Sequence, residues 1–147
     1  MGWDEYYMSF AEAAAKKSKD STKVGAVLVD PHGSVILTGF NGPPRGVEDR
    51  PERFERPTKY MYASHAEANL IAFAARNGIR TEFCMVVTTH VPCATCARTL
   101  IQAGILKVLY GKGTFQALEV ELESTRAMFS EAGVELEPYD ESDEIPL

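Results

Sequence analysis

The stretch SHAEANLIAF, residues 64–73, decides how the rest of this 147-residue chain is read. It places a glutamate two residues after a histidine and then runs into apolar residues at helical spacing. Ser64 can cap that helix, Glu67 completes an S-x-x-E capping box, and Asn77-Gly78 supplies a stop. On their own, His65 and Glu67 are ordinary residues at a helix start. Their meaning depends on what the remaining chain sets beside them.

Upstream lies NGPPRGVEDRPERFERPTKY (41–60), a long loop with four prolines and two glycines, and loops this long in compact domains are commonly functional. Before it, VGAVLVD (24–30) and SVILTGF (34–40) are short apolar runs split by the turn chemistry of DPHG, which predicts a β-hairpin. The chain opens with Tyr6, Tyr7, Phe10, Ala13 and Ala14 at helical spacing. Downstream, FCMVVTT (83–89) reads as a buried strand, and a helix begins after Pro92 and stops at the glycine of QAGI. Then come a strand, ILKVLYG (105–111), a helix from about Phe115 to Ala132, and an edge strand, VELEPY (134–139). The order α-β-β-α-β-α-β-α-β predicts one mixed sheet with helices on both faces. Residues 1–147 are expected to form one domain, with an acidic tail from about 140 to 147.

Composition narrows the function. At 45% hydrophobic and 24% charged, the chain is ordinary for a globular domain. No apolar stretch approaches the roughly 18 residues of a membrane span, and MGWDEYYMSF has acids where a signal peptide has bases. The expected location is cytoplasmic, where three cysteines stay as thiols. From Glu119 onward ten acids face one base, so that segment carries −9 and residues 1–118 carry +3 of the total −6. A body of modest positive charge suits a small anion. The continuous basic stripe expected of a nucleic-acid binder is missing.

Beside HAE stands PCATC (92–96). His65, Cys93 and Cys96 each fall at the N-terminal edge of a predicted helix, so one nitrogen and two sulfurs can meet where two such helices pack side by side. Zinc takes this ligand set, and three protein ligands leave its fourth position open for water. Two thiolates neutralise the ion's charge and weaken it as a Lewis acid. Two helix N-termini, each worth roughly half a positive charge, can compensate and also lower the thiol pKa values. Glu67 is then the candidate proton carrier. A lone C-x-x-C also fits redox chemistry, and His90 is a nearby candidate for a fourth ligand that would close the site.

The joint pattern His65-Ala66-Glu67 with Pro92-Cys93-Ala-Thr-Cys96 matches the H-x-E…P-C-x-x-C signature of zinc nucleobase deaminases, in which activated water attacks C4 of cytosine or C6 of adenine. From about Lys19 to Thr114 the chain resembles the deoxycytidylate (dCMP) deaminase family of the cytidine deaminase-like superfamily. The likeness rests on SKDSTKVGAVLVD, GFNGPPRG (39–46), SHAEANLI, VPCATCARTLIQAGI and KVLYG, with Phe40 where the family's loop has tyrosine. The resemblance implies a three-layer α/β/α sandwich around a five-stranded mixed sheet, and zinc-dependent hydrolysis of dCMP to dUMP and ammonia, which supplies dTMP synthesis. By similarity, Asn41 bonds the nucleotide's sugar, the backbone N–H of Ala66 binds the pyrimidine, and Asn69 lies near the nucleotide. Asn69 fits equally well as an ordinary polar residue of an amphipathic helix. Lys19, within a run with Lys16, Lys17 and Lys23, leads the candidates for the phosphate, and Arg45 is second. Phe115 is a candidate to stack near the base, with a core role as its alternative.

Many relatives carry a second, structural zinc in the region of 42–64. This chain has neither Cys nor His there, which predicts one zinc per chain. The family also implies a homo-oligomer, a hexamer by resemblance, activated by dCTP and inhibited by dTTP, with Mg2+ accompanying the triphosphate. The rival readings are deamination of dCTP, a 5-substituted dCMP, a nucleoside, or tRNA or single-stranded DNA. The non-enzymatic rival is a zinc-stabilised binding module closed by His90.

Overall fold

The computed structural model describes residues 1–113 and 118–140. A helix, α1 (Trp3–Ala15), leads into the hairpin of β1 (Gly25–Val29) and β2 (Val35–Phe40). The long loop is partly structured, with a 3-10 turn at Pro51–Phe54 and a short helix, α2 (Lys59–Tyr62). There follow α3 (Ala66–Arg76), β3 (Met85–His90), α4 (Ala94–Gln102), β4 (Lys107–Gly113), α5 (Glu119–Ala132) and β5 (Glu135–Pro138). Phe115 and the acidic tail beyond Asp140 lie outside the described residues.

The five strands form one mixed sheet in the order β2-β1-β3-β4-β5. β1 runs antiparallel to both β2 and β3, while β3–β4 and β4–β5 are parallel. Alternation along the strands sorts the core into two faces. Ala26, Leu28, Val86 and Val108 pack with Leu70 of α3, Leu100 of α4 and Phe129 of α5. Val27, Val29, Val87 and Leu109 pack with Tyr7, Met8 and Ala11 of α1. This is the expected three-layer sandwich, with α1 on one side of the sheet and α3, α4 and α5 on the other.

Two details fix the geometry. A Cβ on Gly25 would lie 1.9 Å from the Ala11 carbonyl oxygen and 2.5 Å from the Ala15 nitrogen, so only glycine lets α1 sit this close to β1. In the hairpin turn Asp30 Oδ1 accepts from the backbone N–H groups of His32 and Ser34, both at 2.9 Å. That Asx-type turn accounts for DPHG and leaves His32 at the far tip.

The start of α3 differs from the sequence expectation. Ser64 does not cap the helix, because its N–H and C=O exchange two hydrogen bonds with Gly42, at 2.9 and 3.0 Å. That bridge holds Ser64 in extended chain, and the N-cap position passes to His65, whose side chain caps nothing. Glu67 therefore has no capping box to complete.

Candidate active site

The bridge from Gly42 to Ser64 sets the direction in which the chain enters α3. His65, at φ −70° and ψ 156°, leaves the extended path just as the helix begins. β3 delivers the chain to α4 in the same way, with Cys93 at φ −73° and ψ 170° as N-cap. Its sulfur accepts the Cys96 N–H at 3.5 Å. The two helix starts thus bring His65 Nδ1 to 3.4 Å from Cys93 Sγ and 3.3 Å from Cys96 Sγ.

The spacing and chemistry of these donors fit zinc. One nitrogen and two sulfurs lie within 4.8 Å of one another, and adjacent N and S ligands of tetrahedral zinc stand about 3.5 Å apart, given its usual bond lengths. Hydrogen bonding from the Cys96 thiol, with help from His65, pulls the Cys93 thiol down to about 4 against the opposing effect of burial. The same thiol–thiol bond, with burial, pushes Cys96 the other way. One thiolate is already favoured without a metal; binding must displace the proton of the second. The hydrogen bond to Cys93 raises His65 against the opposing effect of its burial. His90, the sequence candidate for a fourth ligand, is not a member of this group.

Glu67 sits at the second position of α3, 4% exposed. Burial pushes its carboxyl up to about 7, against the pull of its own backbone N–H and of His65. It lines, with His65 and Cys93, a cleft of about 380 Å³ whose other walls include Thr22, Asn41, Arg56, Lys59, His90 and Glu121. Ala66 also lines it, and as the first residue of α3 its N–H has no partner within the helix.

Asn41 is in the cleft, but its side chain is engaged with the chain before β1. Oδ1 accepts the Val24 N–H at 2.9 Å, and Nδ2 donates to the Thr22 carbonyl at 2.8 Å. It shapes the wall and keeps one further donor and acceptor valence free. Lys19, Arg45 and Asn69 are placed elsewhere. They line a neighbouring cleft of about 580 Å³ on the other side of the GFNG segment. There Lys19 pairs with Asp49 at 3.0 Å, Arg45 lies 4.5 Å from the centre of the Phe73 ring, and Asn69 donates to the Phe40 carbonyl at 2.8 Å. Lys19 and Arg45, the sequence candidates for the phosphate, are thus set in this neighbouring cleft. The loop folds so that its start faces one cleft and Arg45 the other.

Four residues of the metal-side cleft were missed. Lys59 and Asp20 form an ion pair at 3.1 Å, with side chains only 9% and 4% exposed, and 39 residues of sequence hid it. Arg56 lines the same wall and has no partner among the described residues. Glu121, within the acidic segment that begins at Glu119, accepts the Ala94 N–H at the start of α4 at 3.2 Å. Its negative charge also helps raise His65.

A mixed sheet with this order, carrying a His/Cys/Cys group at two helix N-termini beside a buried glutamate, defines a zinc deaminase-like hydrolase. The chain belongs to the cytidine and deoxycytidylate deaminase zinc-binding family, whose profile matches residues 1–112. It is 41% identical to an uncharacterized deaminase of Aliivibrio fischeri over 138 residues, covering 91% of each chain. It is 34% identical to the deoxycytidylate deaminase of Homo sapiens, over 90% of this chain and 76% of that one. Among solved structures it resembles the dCMP deaminase of cyanophage S-TIM5 in complex with dCMP and dUMP. That match has a TM-score of 0.73 and 27% identity, covering 92% of this chain and 95% of the other.

Proposed function

We propose that this protein hydrolyses dCMP to dUMP and ammonia. The observation that carries the reading is the convergence of His65, Cys93 and Cys96 within 4.8 Å in a cleft that also holds buried Glu67. Zinc held by these three residues would supply the activation of water for attack on C4. Glu67 would take one proton from that water and place it on the ring nitrogen, then take the second from the new C4 hydroxyl and give it to the amine as the C4–N bond breaks and C4=O forms. Its burial removes competing water and keeps the carboxyl able both to accept and to donate. The Ala66 N–H, at the positive end of α3, binds the pyrimidine carbonyl. Asn41 fixes the sugar end of the wall.

The 5′-phosphate belongs at the end lined by Arg56 and Lys59. Lys59 is neutralised by Asp20, so Arg56 contributes the uncompensated charge. The basic and aromatic neighbouring cleft, with Lys19, Arg45 and Phe73, suits a triphosphate effector and its Mg2+, with dCTP activating and dTTP inhibiting. A cytoplasmic homo-oligomer, a hexamer by family likeness, completes the proposal.

Ammonia release from dCMP, dCTP and deoxycytidine, measured with and without dCTP and dTTP, tests it. Preference for dCMP is expected, and Arg56→Ala should erode that preference while sparing deoxycytidine. Preference of the unaltered protein for deoxycytidine refutes the phosphate reading.

A further inference from the structure

His90 is neither in the metal group nor given a role by the steps above, yet its ring is held from several sides. It ends β3, three residues before Cys93, and lines the cleft. Its Nδ1 lies 2.7 Å from the Thr89 hydroxyl. That same hydroxyl accepts the Gly25 N–H at 3.1 Å. The ring packs directly on Gly113, where a Cβ would sit 2.3 Å from His90 Cε1, 2.4 Å from Nδ1 and 2.6 Å from Nε2. Thr89 on one side and Gly113 on the other restrict the imidazole.

Full use of the donors in the hydrogen-bond chain favours one tautomer. A threonine hydroxyl has one hydrogen to give. If His90 Nδ1 carried its own proton, the Thr89 hydrogen would have no acceptor among the described residues. If Nδ1 is bare, every donor is used: Gly25 N–H to Thr89 Oγ1, and Thr89 O–H to His90 Nδ1. The proton then resides on Nε2. That atom has no hydrogen-bond partner among the described residues and is not sealed from solvent, the one sealed and unpartnered side-chain atom there being Thr125 Oγ1. Burial favours the neutral ring.

We infer that His90 is a substrate-contacting specificity residue: a rigid, uncharged donor whose Nε2–H hydrogen-bonds an oxygen of the nucleoside part of the substrate. This rests on the dCMP reading of the cleft and adds a residue to it. A neutral donor suits a neutral oxygen of base or sugar, while the anionic end is served by Arg56 and Lys59. Thr89 and Gly113 are positioning residues that act through His90.

The test uses zinc-loaded protein uniformly labelled with 15N. Long-range 1H–15N correlation of the imidazoles, with the His90 signals identified by their loss in His90→Gln, should show Nε2 protonated and Nδ1 bare. Protonation at Nδ1, or Nε2 bound to metal, overturns the inference. Titration with dUMP or with deoxyuridine should shift the Nε2 signal, whereas inorganic phosphate should not. A shift produced by phosphate and not by deoxyuridine overturns it as well. In kinetics, His90→Leu should raise KM for dCMP about tenfold, the worth of one hydrogen bond at the upper end of its neutral range. kcat should stay within about twofold, as for a contact made equally in ground and transition states. His90→Gln, which retains an N–H donor, should recover most of the loss; equal losses in both variants defeat the donor role. If the unaltered protein fails to deaminate dCMP, the proposed function falls. If it succeeds and His90→Leu matches it, this inference alone falls.

Discussion

Replacing Lys59 with methionine probes the wall opposite the metal group. The Lys59 Nζ–Asp20 Oδ1 contact is 3.1 Å, and both side chains are nearly sealed from water. Asp20 keeps the Thr22 N–H at 2.9 Å and a longer contact with the Ser21 hydroxyl, but loses its counter-charge. Removing one partner of a buried pair costs about 3–5 kcal/mol, because the remaining charge stays buried and uncompensated. Against a total stability of about 5–15 kcal/mol, that is a large fraction. At about 2–4 °C per kcal/mol for a chain near this size, the melting temperature should fall by roughly 10 °C. Asp20→Asn should cost a similar amount by stranding the ammonium. The double variant should recover much of the loss, with a coupling of at least about 2 kcal/mol. Urea unfolding of the four zinc-loaded proteins, fitted for midpoint and slope, measures this. A loss below about 1 kcal/mol in Lys59→Met, or strictly additive single losses, would refute the reasoning.

Other substitutions test separate parts of the structure. Glu67→Gln should retain zinc, measured by metal analysis, and lose at least about a hundredfold in kcat, the low end of general acid–base contributions; near-normal turnover removes Glu67 from the mechanism. Cys93→Ala should lose the metal itself. Thr125 is fully buried and its hydroxyl has no partner among the described residues, so Thr125→Val should be neutral or gain about 1 kcal/mol in urea unfolding. Gly25→Ala should cost at least about 3 kcal/mol, since the new Cβ meets backbone atoms of α1 that cannot move aside separately. The Lys107–Glu137 pair, 2.8 Å apart between β4 and β5, raises Lys107 above its ordinary 10.5 chiefly through that bond. Its stabilisation is therefore fully present below pH 10.5 and fades as pH rises through the folded value. Solvent screening keeps it under about 1 kcal/mol, which Lys107→Met at pH 8 should show.

The elements legible in the sequence were those whose cause is local. DPHG between two apolar runs gave the hairpin because Asp30 ties its own turn. The zinc ligands were legible because metal chemistry restricts residue type and spacing, and each ligand sits at a helix start. What stayed hidden depended on contacts distant in sequence. Lys59 meets Asp20 only because α2 folds back toward the end of α1. Lys19, from its basic run, and Arg45, from the loop, are the sequence candidates for the substrate phosphate, and folding sets both in the cleft beside the metal-side one. Glu121 is one acid among many in its segment, and nothing in its own helix shows that α4 begins against it.

The misread of Ser64 bears most directly on function. A serine cap with a Glu67 capping box would occupy the carboxylate at its own helix end. By tying Ser64 to Gly42 instead, the fold shifts the helix start by one residue and leaves the α3 N-terminus uncapped by a side chain. Glu67 then lies buried in the cleft, its carboxyl held by its own backbone N–H, and Ala66 lines the cleft beside it. At α4, by contrast, the N-cap Cys93 sulfur accepts the Cys96 N–H and Glu121 accepts the Ala94 N–H. Two thiolates would leave bound zinc with little net charge, and these two helix ends can restore a positive field at the site. The Gly42–Ser64 bridge is thus as much a part of the site as its ligands: it orients His65 and leaves the start of α3 without a side-chain cap.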